Sequence, residues 1–145
     1  MTLVLDTTVL VYALGGPHPA RTPCRWVVEA AGSGTIQATT TVEVIQEFTH
    51  VRARRINRAD AVRDARLFVE LLSPLLTPHA ADLEAGLDLF SGFAAVGSFD
   101  AVLASTSRSR GHALVSVDAG FSVVPDLEHL NPLSPDFLDR AASSG

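Results

Sequence analysis

Short apolar runs that end on an acidic residue and hand over to a helix constrain this chain more than any other feature. Leu3-Val4-Leu5 stops at Asp6, and Val9, Leu10, Val11 and Leu14 then continue at helical spacing as far as Gly15-Gly16-Pro17. Leu114-Val115-Ser116-Val117 likewise ends on Asp118. Between them the pattern predicts a helix from about Pro19 to Ala31, a strand from Thr35 to Thr39, and a helix that Thr40 or Thr41 caps, with Val44, Ile45, Phe48 and Val51 on its apolar face. Further helices are expected from about Arg58 to Leu72, Ala80 to Ala95 and Ser98 to Arg110. Leu75-Leu76 reads as a short strand between Pro74 and Pro78, and Leu127 to Leu130 as a final one. Strands that are uniformly apolar rather than alternating are buried on both faces, which predicts an α/β fold with a central parallel sheet and helices on either side.

At 145 residues the chain is expected to form one domain, residues 1–145. With 47% hydrophobic residues and a mean hydropathy of +0.26 it can bury a core, and disorder is excluded. Asp6 interrupts the most apolar N-terminal stretch, so no membrane span is expected, and no basic residue precedes Arg21 to start a secretory signal; the expected location is cytoplasmic. Cys24 stands alone, which excludes an internal disulfide and a multi-thiolate zinc site. All 11 basic residues are arginine, so a Walker A loop and a Schiff-base mechanism lack the lysine they require. The net charge of −5 argues against indiscriminate coating of nucleic acid but leaves room for a local basic patch.

In an open α/β sheet chemistry gathers at the carboxyl ends of the strands, where Asp6 and Asp118 both fall. Asp100 begins a helix beside Phe99, and Glu47 lies within a turn of Ile45 and Phe48. Carboxylates drawn into one cleft raise one another's pKa and require a cation. An all-oxygen ligand set without clustered His or Cys favours Mg2+ or Mn2+ over zinc. Such an ion would support hydrolysis of a phosphodiester. Glu43 and Glu47 are four residues apart on one helix face, so spacing leaves the second acid ambiguous.

The strings LVLDTTVLVYAL, TTTVEVIQEFTHV, SFDAVLASTSRSRG and LVSVDAGF, in that order between residues 3 and 121, resemble the four motif blocks of PIN domains, and among these the VapC ribonuclease toxins. The resemblance places Asp6, Glu47, Asp100 and Asp118 as the catalytic acids, with Asp6, Asp100 and Asp118 holding the metal. It selects Glu47 over Glu43, which becomes a peripheral acid one turn earlier. Thr8 and Ser116 fall where small hydroxyl residues accompany the first and last acids. The family implies a three-layer α/β/α sandwich, an endoribonuclease dependent on Mg2+ or Mn2+, a homodimer, and neutralisation by a VapB-type antitoxin.

RNA would need phosphate contacts, and Arg52, Arg54, Arg55, Arg58, Arg63 and Arg66 form the densest basic stretch, tempered by Asp60 and Asp64. Arg54, Arg55 and Arg58 are candidate contacts there, and Arg108 and Arg110, on the helix of Asp100, are a second pair. The competing reading is a solvated helix surface laced with ion pairs. Glu47 and His50 form an E-x-x-H pair, but a di-iron bundle needs two copies and only one is present. No G-x-S-x-G occurs for a serine hydrolase, and Thr8 stands where an aspartyl phosphatase needs its second Asp. A PIN-like fold that has lost catalysis and binds protein is the alternative of another class. The apolar residues beyond one face on the helices after Arg58 and Ala80 point to a protein interface.

Overall fold

The computed structural model describes residues 1–145. Four parallel strands, β1 (Thr2–Leu5), β2 (Gln37–Thr39), β3 (Ala113–Val115) and β4 (His129–Leu130), lie in the order β2-β1-β3-β4. Seven helices surround them: α1 (Thr7–Leu14), α2 (Arg21–Gly32), α3 (Val42–Arg55), α4 (Arg58–Leu72), α5 (Ala80–Gly92), α6 (Ser98–Ser109) and α7 (Phe137–Ala142). The result is a three-layer α/β/α sandwich with its sheet in the middle. Leu3, Val4 and Leu5 of β1 and Ala113, Leu114 and Val115 of β3 have no solvent exposure, which is why these strands carry no polar alternation. They anchor one hydrophobic core of 30 buried residues.

Strand order decides where a site can form. The chain moves from β1 to β2 on one side, then crosses back over β1 to place β3 on the other, with Leu3 opposite Ala113 and Leu5 opposite Val115. Connections that diverge in this way open a crevice at the carboxyl ends of β1 and β3. Asp6 follows β1 directly, and Ser116, Val117 and Asp118 follow β3.

Local chemistry explains the element ends. Thr41 is the N-cap of α3, its hydroxyl accepting from the Val44 amide at 3.1 Å, whereas the Thr40 hydroxyl donates to the Leu5 carbonyl at 2.6 Å and finishes β1. The strand expected at Leu75-Leu76 is reduced to a single bridge between Leu76 and Thr41, because Pro74 and Pro78 on either side offer no N–H to extend a ladder. The strand expected to reach Val117 stops at Val115. Beyond it the Val117 amide donates to the Thr8 hydroxyl, and the carbonyls of Ser116 and Val117 receive side chains of β4 and its following residue instead of strand partners.

α5 and α6 pack as a pair, and Gly86 makes this possible: a Cβ there would meet Val102 Cα at 3.0 Å. At the far end of the pair Arg110 Nη1 pairs with Asp82 Oδ2 at 2.6 Å, and Arg110 Nη2 donates to the Thr77 carbonyl. Asp82 also accepts from the His79 amide and the Ser109 hydroxyl. Burial alone would raise the Asp82 pKa, but the Arg110 guanidinium and these donors hold it below the ordinary carboxylate value. This clamp fixes α6, whose opposite end carries Asp100.

Candidate functional site

Asp6 is 3% exposed and occupies the N-cap position of α1 in extended conformation. Its carboxylate does not close a cap hydrogen bond but turns toward β3. Oδ2 receives the Ser116 hydroxyl at 2.7 Å and the Thr8 hydroxyl at 3.0 Å. Each hydroxyl is itself oriented by a backbone amide: Asp118 N–H donates to Ser116 Oγ at 3.0 Å, and Val117 N–H donates to Thr8 Oγ1 at 3.2 Å. Each hydroxyl accepts from an amide and donates its own proton to the carboxylate of Asp6, which as an anion can only accept. Burial pushes the Asp6 pKa up, while Ser116, Thr8 and the first amides of α1 oppose it and favour the anion.

Asp118 is exposed at the mouth of the crevice, and its Oδ1 accepts from the Gly120 amide at 2.8 Å. Glycine is required in that turn, because a Cβ on residue 120 would lie 2.6 Å from the Ala95 carbonyl oxygen. Glu47 projects from α3, which packs against α1. Burial raises its pKa; the nearby Thr7 hydroxyl lowers it, the charge of Asp6 raises it further, and His50 lowers it. Thr7 Oγ1 is buried without a hydrogen-bond partner of its own.

Asp100, in the first turn of α6, joins these elements. Its pKa is pushed up to about 7, first by burial and then by the charges of Asp6, Asp118 and Glu47 in turn. Acids separated by up to 112 positions in sequence therefore share one electrostatic neighbourhood. No three acidic, histidine or cysteine side chains close on a single point. This arrangement suits a small hard cation that keeps several waters and takes only one or two carboxylates at a time. All the nearby donors are oxygens, as Mg2+ or Mn2+ prefers.

The other expected residues divide. Thr8 and Ser116 are both in contact with Asp6. Glu43 is half-buried one turn before Glu47, with Oε2 enclosed and unpaired, in a separate groove against Leu83, Leu87 and Phe99. Arg54, Arg55 and Arg58 are exposed and free of ion pairs. Arg108 and Arg110 are not brought to the acids. They sit eight and ten residues beyond Asp100, about 12 to 15 Å along the helix, where Arg108 donates to the Pro125 carbonyl and Arg110 is bound to Asp82. Their helix runs away from the crevice, so sharing it with Asp100 carries them out of reach.

Two residues that support the site escape the sequence reading. His129 Nε2 donates to the Ser116 carbonyl at 2.9 Å, and Asn131 Nδ2 to the Val117 carbonyl at 3.3 Å. Together they pin the segment that leads to Asp118. Their i, i+2 spacing across the end of a terminal strand, which directs both to one side, is the signal that could have found them.

Residues 3–127 match the PIN domain family. Over 132 residues the chain is 48% identical to Ribonuclease VapC7 of Mycobacterium tuberculosis, covering 90% of this chain and 91% of that protein. Its fold is similar to a chain of VapBC-1 from nontypeable Haemophilus influenzae, with a TM-score of 0.71 at 15% identity over 92% of this chain and 100% of the other. It is also similar to a chain of VapBC2 from Rickettsia felis, solved with a DNA fragment from their promoter, with a TM-score of 0.69 at 17% identity over 90% and 98%.

Proposed function

Because this chain belongs to the PIN-domain family, within its VapC group, we propose that it is a divalent-metal-dependent endoribonuclease, the toxin of a VapBC-type toxin–antitoxin pair. The observation that carries this reading is the grouping of Asp6, Glu47, Asp100 and Asp118 at the carboxyl edge of the sheet, close enough that the charges of the other three add to burial in raising Asp100 to about 7. Asp6, Asp100 and Asp118 would share Mg2+ or Mn2+, one or two of them as direct ligands and the remainder through the ion's waters. When bound, the cation supplies a Lewis acid against the phosphodiester and eases deprotonation of water.

The chain's own side chains do the rest. Ser116 and Thr8 favour the Asp6 anion against its burial and hold Oδ2, leaving Oδ1 free of side-chain hydroxyls. Glu47, whose affinity for a proton is raised by burial and by Asp6, orients the attacking water and takes its proton. Hydrolysis joins the water oxygen to phosphorus as the P–O ester bond breaks, and the leaving oxygen is protonated from solvent. Residues 1–145 act as one nuclease domain, cytoplasmic and homodimeric, with RNA as substrate and a VapB-type antitoxin as the neutralising partner. No helix is long and apolar enough to cross a membrane.

The test is RNA cleavage by the purified chain. Cleavage is expected with Mg2+ or Mn2+, lost in excess EDTA and restored when the ion is returned. Undiminished cleavage in EDTA would overturn the metal requirement. No cleavage with either ion would leave the protein-binding module as the better reading. Ser116→Ala removes a donor from Asp6 and an acceptor from the Asp118 amide; a fall in cleavage rate of roughly 10- to 100-fold with an unchanged circular dichroism spectrum is the expected result.

A further inference from the structure

Apart from the histidines, arginine supplies all the side-chain positive charge, and the fold occupies much of it. Arg25 donates to the Ala13 carbonyl and Arg108 to that of Pro125. Arg52 and Arg63 pair with Asp64 and Asp60, Arg110 with Asp82, and Arg140 with Glu128. Of the arginines left without a partner, only Arg21 lies outside the segment from residue 54 to 66, which is the end of α3, its turn, and α4. The unneutralised cations are therefore concentrated on one helical hairpin of a chain whose net charge is −5.

That hairpin also holds a groove of about 440 Å³, lined by Gln46, Thr49, His50, Ala53, Arg58 and Val62. On α3, Glu47, His50 and Arg54 fall at i, i+3 and i+7 and share a stripe, and Gln46, Thr49 and Ala53 form the stripe beside it. Gln46 and His50, which line the groove, stand one and three residues from Glu47 on α3, so the groove lies beside that acid. Four of its six lining residues are polar or charged, its one ring is the His50 imidazole, and free guanidinium groups border it.

We propose that this α3–α4 groove seats the single-stranded RNA that flanks the scissile phosphate, with Arg58 and Arg54 on backbone phosphates and the Gln46 amide on a base edge. Phosphate contacts fix the register of the strand, and Gln46 supplies the one hydrogen-bonding reader of sequence. With the His50 imidazole as its only ring, the groove offers stacking to a single base at most. The proposal rests on the nuclease reading above.

Binding of a fluorescein-labelled single-stranded RNA to the cleavage-dead Asp6→Asn protein tests it, at several salt concentrations and alongside cleavage by the otherwise wild-type chain. Arg54→Ala with Arg58→Ala is expected to weaken binding roughly tenfold or more and to reduce the log–log salt slope by about 0.7 for each arginine removed. Gln46→Ala should weaken binding of some sequences and not others, and raise KM for them. Arg21→Ala should alter neither affinity nor slope. If the double variant binds with unchanged affinity and slope while the wild-type chain cleaves RNA, the groove is not the RNA seat and the nuclease reading stands. If the wild-type chain cleaves no RNA with either ion, both readings fall together.

Discussion

Replacing Asp100 with asparagine is expected to reduce RNA cleavage by roughly a thousandfold or more while raising the melting temperature of the metal-free protein. The two effects share a cause. Asp100 is held about 7 by burial and by Asp6, Asp118 and Glu47, against an ordinary value of 3.8, so its ionisation opposes folding. A raised folded-state pKa leaves stability whole below pH 3.8 and erodes it as the pH rises through 3.8 towards about 7. The asparagine variant has no such loss. In EDTA the two melting curves should therefore coincide near pH 4 and separate by pH 8, with the variant higher. Solvent screening of a half-buried group reduces the difference to on the order of 1–2 kcal/mol. Mg2+ should raise the melting point of the wild type and have a smaller effect on the variant. Full cleavage by Asp100→Asn, or melting points that remain equal at pH 8, would remove Asp100 from the charged cluster.

The second large effect lies at the opposite end of α6. Arg110→Ala is expected to lower unfolding free energy by about 3–5 kcal/mol, read from the urea midpoint at pH 7, because it leaves the Asp82 carboxylate buried without its cation. Asp82 has a depressed pKa in the folded chain, so its ionic contribution is present above pH 3.8 and is lost as the pH falls through the lower folded value. The difference between wild type and Arg110→Ala should consequently narrow below pH 3.8. A surface arginine on RNA would give the reverse pattern: unchanged stability and weaker RNA binding. A loss of unfolding free energy below about 0.5 kcal/mol would show that the clamp is not structural.

Both results bear on how far the sequence can be read. The apolar runs ending at Asp6 and Asp118, the helical spacing on either side of Glu47 and the start of α6 at Asp100 are local patterns, and the elements appear close to where those patterns place them. Thr41 as N-cap is equally local, since its hydroxyl meets an amide three residues away. The engagement of Arg110 with Asp82, 28 positions earlier, was not legible, because nothing local distinguishes a guanidinium that will meet a buried carboxylate from one that will meet solvent. Leu75-Leu76 failed as a strand for a related reason: apolar content was sufficient, but the flanking prolines limited the available hydrogen bonds to one bridge.

Backbone stereochemistry and hydrophobic periodicity act over a few residues, so sequence alone determined which segments became strands and helices and that acids would stand at strand ends. It also fixed the chemistry on offer: oxygen ligands, no lysine and one thiol. The tertiary structure decided which of these groups met. Placing β1 between β2 and β3 put Asp6 within 2.7 Å of Ser116, 110 positions away, and set the amides of Val117 and Asp118 to orient the hydroxyls that hold it. Those pairings follow from the need to satisfy polar groups buried when the sheet closes, a condition on the whole chain that no local stretch of it contains.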